Sequence, residues 1–172
     1  MATWAAIALS TYLVAAAVDV GFSESKAGLL LFAGSAASIS GRIAAGHVTD
    51  RIGSRGFGGM ATLAGVGAIV FAILPATSGA AFAALVLVAF VTGWGWPGLM
   101  TYAVVNANRG TVAASSAIAQ AGIFVGAGLG PLVIGWVADR WSFDAVWLVV
   151  ACALTGAAVT VSLVGRSAIA AE

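Results

Sequence analysis

Apolar residues run along this chain in six long blocks separated by short polar clusters. The blocks cover about Thr3–Val20, Ala27–Thr49, Phe57–Leu74, Ala80–Val105, Val112–Ala138 and Ala145–Gly165. A helix crossing the hydrocarbon core of a bilayer needs about 20 mainly apolar residues. No charged residue occurs from Gly56 to Asn108, and none from Gly110 to Ala138. A transmembrane barrel would instead require short strands of alternating polarity. The pattern therefore predicts an all-α polytopic membrane protein with six transmembrane helices. The connections are short, which favours antiparallel neighbours.

Composition sharpens this reading. Of 172 residues, 62% are hydrophobic and 8% are charged, against about 25% charged in soluble domains. So few charges cannot cover a soluble fold of this size. The first residues, "MATWAAIALS", lack a basic n-region, so no cleavable leader is expected. The net charge is +1 and no basic patch stands out, so no nucleic-acid partner is expected.

The few charges set an orientation. Six spans place both termini on one side with the two–three and four–five connections. That side collects Arg42, Arg51, Arg55, Arg109 and Arg166, while the other holds Lys26 and Arg140. The positive-inside bias then makes both termini cytoplasmic, in a plasma or inner membrane. Trp4, Trp136 and Trp141 fall near block ends, where interfacial tryptophans anchor.

An internal repeat is also present. "GHVTDR" at Gly46–Arg51 recurs 89 residues later as "GWVADR" at Gly135–Arg140. At the same offset Ala33, Ala37 and Gly41 fall on Gly122, Gly126 and Gly130. Small residues at four-residue spacing let helix backbones approach closely in lipid. By span count the two copies exit on opposite faces. The chain is therefore expected to be a single six-helix unit of two inverted three-helix repeats, 1–78 and 79–172. Inverted three-helix repeats are a building plan of secondary transporters.

The stretch "AGHVTDRIGSR" resembles the signature loop of the major facilitator superfamily, roughly G-x-x-x-D-[RK]-x-G-[RK]-[RK]. Gly46, Asp50, Arg51, Gly53 and Arg55 match it, and Ser54 departs from the usual basic residue. The fifth block, "GIFVGAGLGPLVIGWVADRWSF", is similar to the family's fifth-helix pattern of small residues, Gly-Pro and an acidic exit. Complete members have twelve helices, so the resemblance implies one half. The fourth block, "LVLVAFVTGWGWPGLMTYAVV", lacks the arginine usual in the amino-terminal half. The match is thus to the carboxy-terminal half. The resemblance implies a secondary carrier of a small solute working by alternating access. It also implies a second six-helix half as partner, on the same or a different chain, beside the lipid bilayer itself. The alternatives are a truncated or degenerate half without activity alone, or a non-transporting membrane scaffold.

The resemblance assigns the loop residues to a conformational latch. A carboxylate such as Asp50 would face the positive end of a neighbouring helix, worth about 1 kcal/mol per good contact. The plain alternative is that Asp50, Arg51 and Arg55 end a helix and set topology. The resemblance also places the first and fourth helices of a half around the central cavity. Its candidates here are Thr11, Tyr12, Trp94, Trp96 and Tyr102, with Gln120 in the fifth block. In "GWGWPG" the glycines and Pro97 predict a kink, and broken transporter helices often mark binding sites. Arg42 lies about two turns inside the second block. A charge at bilayer centre costs at least about 2.5–3.5 kcal/mol, so Arg42 is expected to snorkel to the cytoplasmic surface or to line a vestibule.

Other chemistry finds no support. His47 is the only histidine and Cys152 the only cysteine, so no metal-ligand spacing and no Ser–His pair arises. "GAGLG" at Gly126–Gly130 lacks the strand and the water that a phosphate loop needs. No cofactor and no enzymatic activity are expected.

Overall fold

The computed structural model describes residues 1–52 and 56–170. The first span, Ala2–Asp19, consists of α1 (Ala2–Ile7), a π-helical turn (Ala8–Tyr12) and α2 (Leu13–Asp19). The second is α3 (Glu24–Ile52). The third is α4 (Phe57–Ile73), closed by a 3₁₀ turn at Leu74–Ala76. The fourth is split into α5 (Gly79–Trp94) and α6 (Trp96–Ala107). The fifth is α7 (Val112–Arg140) and the sixth α8 (Phe143–Ala170). All six are long and apolar enough to cross a bilayer, and no strand occurs among the described residues.

Local chemistry fixes the turns. The first span ends in a Schellman motif: Phe22 N–H donates to the Ala17 carbonyl and Gly21 N–H to that of Val18. Gly21 takes the positive φ of 95° that this motif requires. The Phe22 ring then packs at a tilt against Phe82, 5.9 Å between centroids, tying the turn to α5. The Ser23 hydroxyl accepts from Lys26 N–H at 3.4 Å, and the Ser142 hydroxyl from Ala145 N–H at 3.2 Å. Both cap helix starts. Glu24 and Asp144 sit in those first turns, where a carboxylate meets the positive helix end.

Close approaches give the helix directions. A Cβ built on Gly165 would lie 3.0 Å from Phe57, and one on Gly67 3.1 Å from Leu154. Spans three and six are therefore antiparallel. In span two, Gly34 faces Phe90 and Gly41 faces Val91, and the groove beyond joins Gly46 to Gly98 and Tyr102. Spans two and four run parallel. In span five, Gly126 faces Thr3, Gly130 faces Trp4 and Ile7, and Gly135 faces Tyr12, so spans one and five also run parallel. Packing is most extensive between α4 and α8 and between α3 and α5, followed by α4 with α5 and α1 with α7. Exchanging spans one, two and three with four, five and six maps the α4–α8 pair onto itself and the α3–α5 pair onto α1–α7.

Spans four and one hold the centre, 44% and 39% buried, against 17% for span five. Leu9, Leu13, Phe71, Phe82, Phe90, Ile134 and Trp147 form the core. The outer faces of α3 and α7 carry exposed Leu29, Phe32, Ile43, Ile118, Phe124 and Leu132. An apolar surface of this extent is stable against lipid or another protein, not against water.

Candidate functional site

Span four is broken at its centre. Pro97 has no N–H to give the Gly93 carbonyl four residues back, and α5 stops at Trp94 before α6 starts at Trp96. Side chains satisfy the freed carbonyls. The Trp96 indole Nε1–H donates to the Gly93 oxygen at 2.9 Å. Arg42 Nε donates to the Trp94 oxygen, also at 2.9 Å. The Arg42 guanidinium lies 5.2 Å from the centroid of the Trp94 ring, within cation–π range. Arg42 turns from span two onto the break in span four and lines a groove there. A broken membrane helix requires such substitutes for its lost backbone bonds.

Two grooves flank α6. One, of about 210 Å³, lies between α3 and the break and is lined by Arg42, Gly46, Asp50, Gly95, Gly98 and Tyr102, among others. A second, of about 380 Å³, lies between α6 and α7 and is lined by Met100, Thr101, Val104, Ser116, Gln120 and Ile123, among others. Both sit in the half of the bundle that carries Arg51 and Arg109, called here the basic end.

The seam related to the first groove by the internal repeat lies between spans one and five, at the opposite end. There Tyr12, the last residue of the π-helical turn, donates its hydroxyl to the Pro131 carbonyl at 3.2 Å. The same hydroxyl lies 2.7 Å from where a Gly135 Cβ would be, so the glycine makes room for it. Gly46, the repeat counterpart of Gly135, has nothing within 4 Å of its Cβ position. One seam is filled by a tyrosine and its counterpart is open.

The residues singled out by sequence thus fall in different places. Tyr102 is exposed in the first groove and Gln120 in the second, on either side of α6. Trp94 is half-buried beneath Arg42. Trp96 is only 7% exposed and lines a small recess with Met60, Ala64 and Leu154, against spans three and six. Thr11 is exposed on span one, and Tyr12 is half-buried against α7. At the end of α3, Asp50 and Arg51 are exposed and Asp50 borders the first groove. Gly53 and Arg55 lie outside the described residues. His47 is exposed beside them.

Thr101 and Ser116 line the second groove without having been singled out, and Gly98, read only as part of the kink, lines the first. Ser116 sits one turn before Gln120, a spacing that puts both on one helix face. Thr101 follows the break by one turn. Among the described residues, no group of three or more His, Cys, Asp or Glu side chains could hold a metal ion.

The family model of the Major Facilitator Superfamily matches residues 1–169. No curated protein and no solved structure matches the chain. With six spanning helices, the loop residues Gly46, Asp50 and Arg51 at the end of the second, and a match over almost its whole length, the chain belongs to the Major Facilitator Superfamily, a family of membrane transporters.

Proposed function

We propose that this chain is one six-helix half of a secondary carrier, built as two inverted repeats and moving a small solute by alternating access. The observation that carries the proposal is the pair of repeat-related seams. The seam between spans one and five is filled where Tyr12 reaches over Gly135 to Pro131. The counterpart between spans two and four is open at Gly46 and Gly98. Two like seams, one shut and one open, at opposite ends of the bundle describe one state of a two-state rocker. The correspondence of the α3–α5 pair to the α1–α7 pair when the two triplets are exchanged supports the inversion. The apolar outer faces of α3 and α7 supply the surface for a second half.

In this reading the basic end is cytoplasmic, both termini lie there, and the present state opens inward. Asp50 and Arg51 end α3 at the mouth of the open groove, where the latch carboxylate would meet a helix of the other half.

Impermeant thiol labelling tests the state and the sidedness together. With Cys152 replaced by serine, a cysteine at Gly98 has free space around it. It is expected to react from the cytoplasmic side of the membrane. A cysteine at Ile7, which packs on Gly130 in the filled seam and leaves Tyr12 in place, is expected to be slow from both sides until the opposite state is populated. Reaction of the Gly98 cysteine from the external side alone overturns the orientation. Protection of both cysteines from both sides, in an assembly that transports, overturns alternating access through these seams.

A further inference from the structure

We propose that Arg42 forms an anion-binding subsite in the α3–α6 groove, for a small organic monocarboxylate. The guanidinium sits inside a membrane-spanning helix, where an ionised side chain needs a partner and marks function by default. The protein supplies only part of that partnership. Nε is committed to the Trp94 carbonyl at 2.9 Å, and the Trp94 ring lies 5.2 Å from Cζ. No further hydrogen bond and no ion pair engages Arg42 among the described residues. The four N–H bonds on the two Nη atoms are therefore left to the groove. A guanidinium presents its donors in a planar fork that matches a carboxylate. Here one edge of that fork is already held by protein, which fixes its plane before a ligand arrives.

The groove has room for such a ligand. Gly46 and Gly98 have no atom within 4 Å of their Cβ positions, and their missing side chains leave the space beside Arg42. At about 210 Å³ the groove falls below the roughly 300 Å³ at which drug-sized ligand pockets begin. This selects a small solute. Leu99 and Tyr102 offer an apolar wall to its body. Asp50 lines the same groove and opposes any anion there; the Arg42 fork offsets this for one carboxylate, and a second would have no such partner. A single carboxylate on a compact apolar body meets all of these conditions.

The inference rests on the carrier reading for its role in transport, but its test is binding. Benzoate serves as the probe and benzamide as its uncharged isostere, titrated calorimetrically into the purified chain in lipid nanodiscs. Benzoate is expected to bind at least about tenfold more tightly than benzamide, the order of one charge-assisted contact. Arg42→Gln is expected to abolish the preference. Because that change also loosens the span-four break, Gly46→Leu is the second variant. Its side chain grows from an open position into the groove and leaves the Arg42–Trp94 contact intact, and benzoate affinity is expected to fall at least about tenfold.

Equal affinity for benzoate and benzamide, or no benzoate binding, overturns the subsite. So does wild-type benzoate affinity in Gly46→Leu, whatever Arg42→Gln does. Solute transport by the assembled carrier without benzoate binding ends the subsite alone. Benzoate binding without any transport leaves the subsite standing and ends the carrier reading.

Discussion

The Trp96 indole and the Gly93 carbonyl form a pair that exists because Pro97 is where it is. A carbonyl stripped of its donor inside a bilayer costs far more than one that water can reach. Trp96 is buried, and its N–H is spent on that carbonyl. Replacing Trp96 by phenylalanine keeps most of the ring but leaves the Gly93 oxygen without its indole donor. The expected loss is about 1–3 kcal/mol of stability, read from equilibrium unfolding by SDS in mixed micelles. Pro97→Ala restores a backbone N–H to the same carbonyl. In that background Trp96→Phe is expected to cost clearly less, and the difference between the two costs is the coupling of the pair. Equal costs in both backgrounds would show that Trp96 stabilises through packing alone.

Between elements, glycine marks where helices touch, and it does so selectively. Gly34 and Gly41 of α3 lie against Phe90 and Val91 of α5, with Ser38 buried between them, while Gly28 faces open space. A leucine at Gly41, whose Cβ would sit 2.7 Å from Val91, must push α3 off α5. The cost expected for such overpacking is about 1–3 kcal/mol. Gly28→Ala meets nothing and gains helix propensity, so its change should stay within about 0.5 kcal/mol or turn favourable. The same unfolding titration compares the two, and similar costs for both would remove the packing account of the stripe.

This selectivity also explains what was legible in the sequence. The six spans could be read to within a few residues because lipid demands long uninterrupted apolar runs. The break in span four could be read because proline and glycine act locally. The small-residue stripe was found, but the packed face of α3 runs through Gly34, Ser38 and Gly41 rather than Ala33, Ala37 and Gly41. Which side of a helix meets a neighbour depends on that neighbour, and the spacing of small residues alone does not record it. The π-helical turn at Ala8–Tyr12 left no local mark either. It is coupled to the docking of Tyr12 on Pro131 and Gly135, residues more than a hundred positions away. Arg42 was readable as a costly charge, while its partner, a backbone carbonyl at a helix break, carries no side-chain signature.

At the scale of the whole molecule, α7 separates what the chain needs for itself from what it offers to another. Gly126, Gly130 and Gly135 are pressed against span one, whereas Gly122 and Gly128 have no atom within 4 Å of their Cβ positions. Packing within this chain does not require glycine at these two positions. Both lie on the least buried span, beside exposed Phe124, Val125 and Leu129. In lipid an exposed glycine is where a second helix can approach, which is the role proposed for these α7 positions against the other half. Leucine at Gly122 and Gly128 should therefore leave this chain's own unfolding titration within about 0.5 kcal/mol of wild type, yet displace the second half from the complex extracted from its membrane. Leucine at Gly130, whose Cβ would lie 2.7 Å from Ile7, should do the reverse and destabilise the chain before any assembly is measured. The two readouts, unfolding of the chain and native mass of the complex, separate the packed glycines of one helix from its open ones. Full assembly and full activity with leucine at both open glycines would place these positions against lipid, and the partner half would have to dock elsewhere.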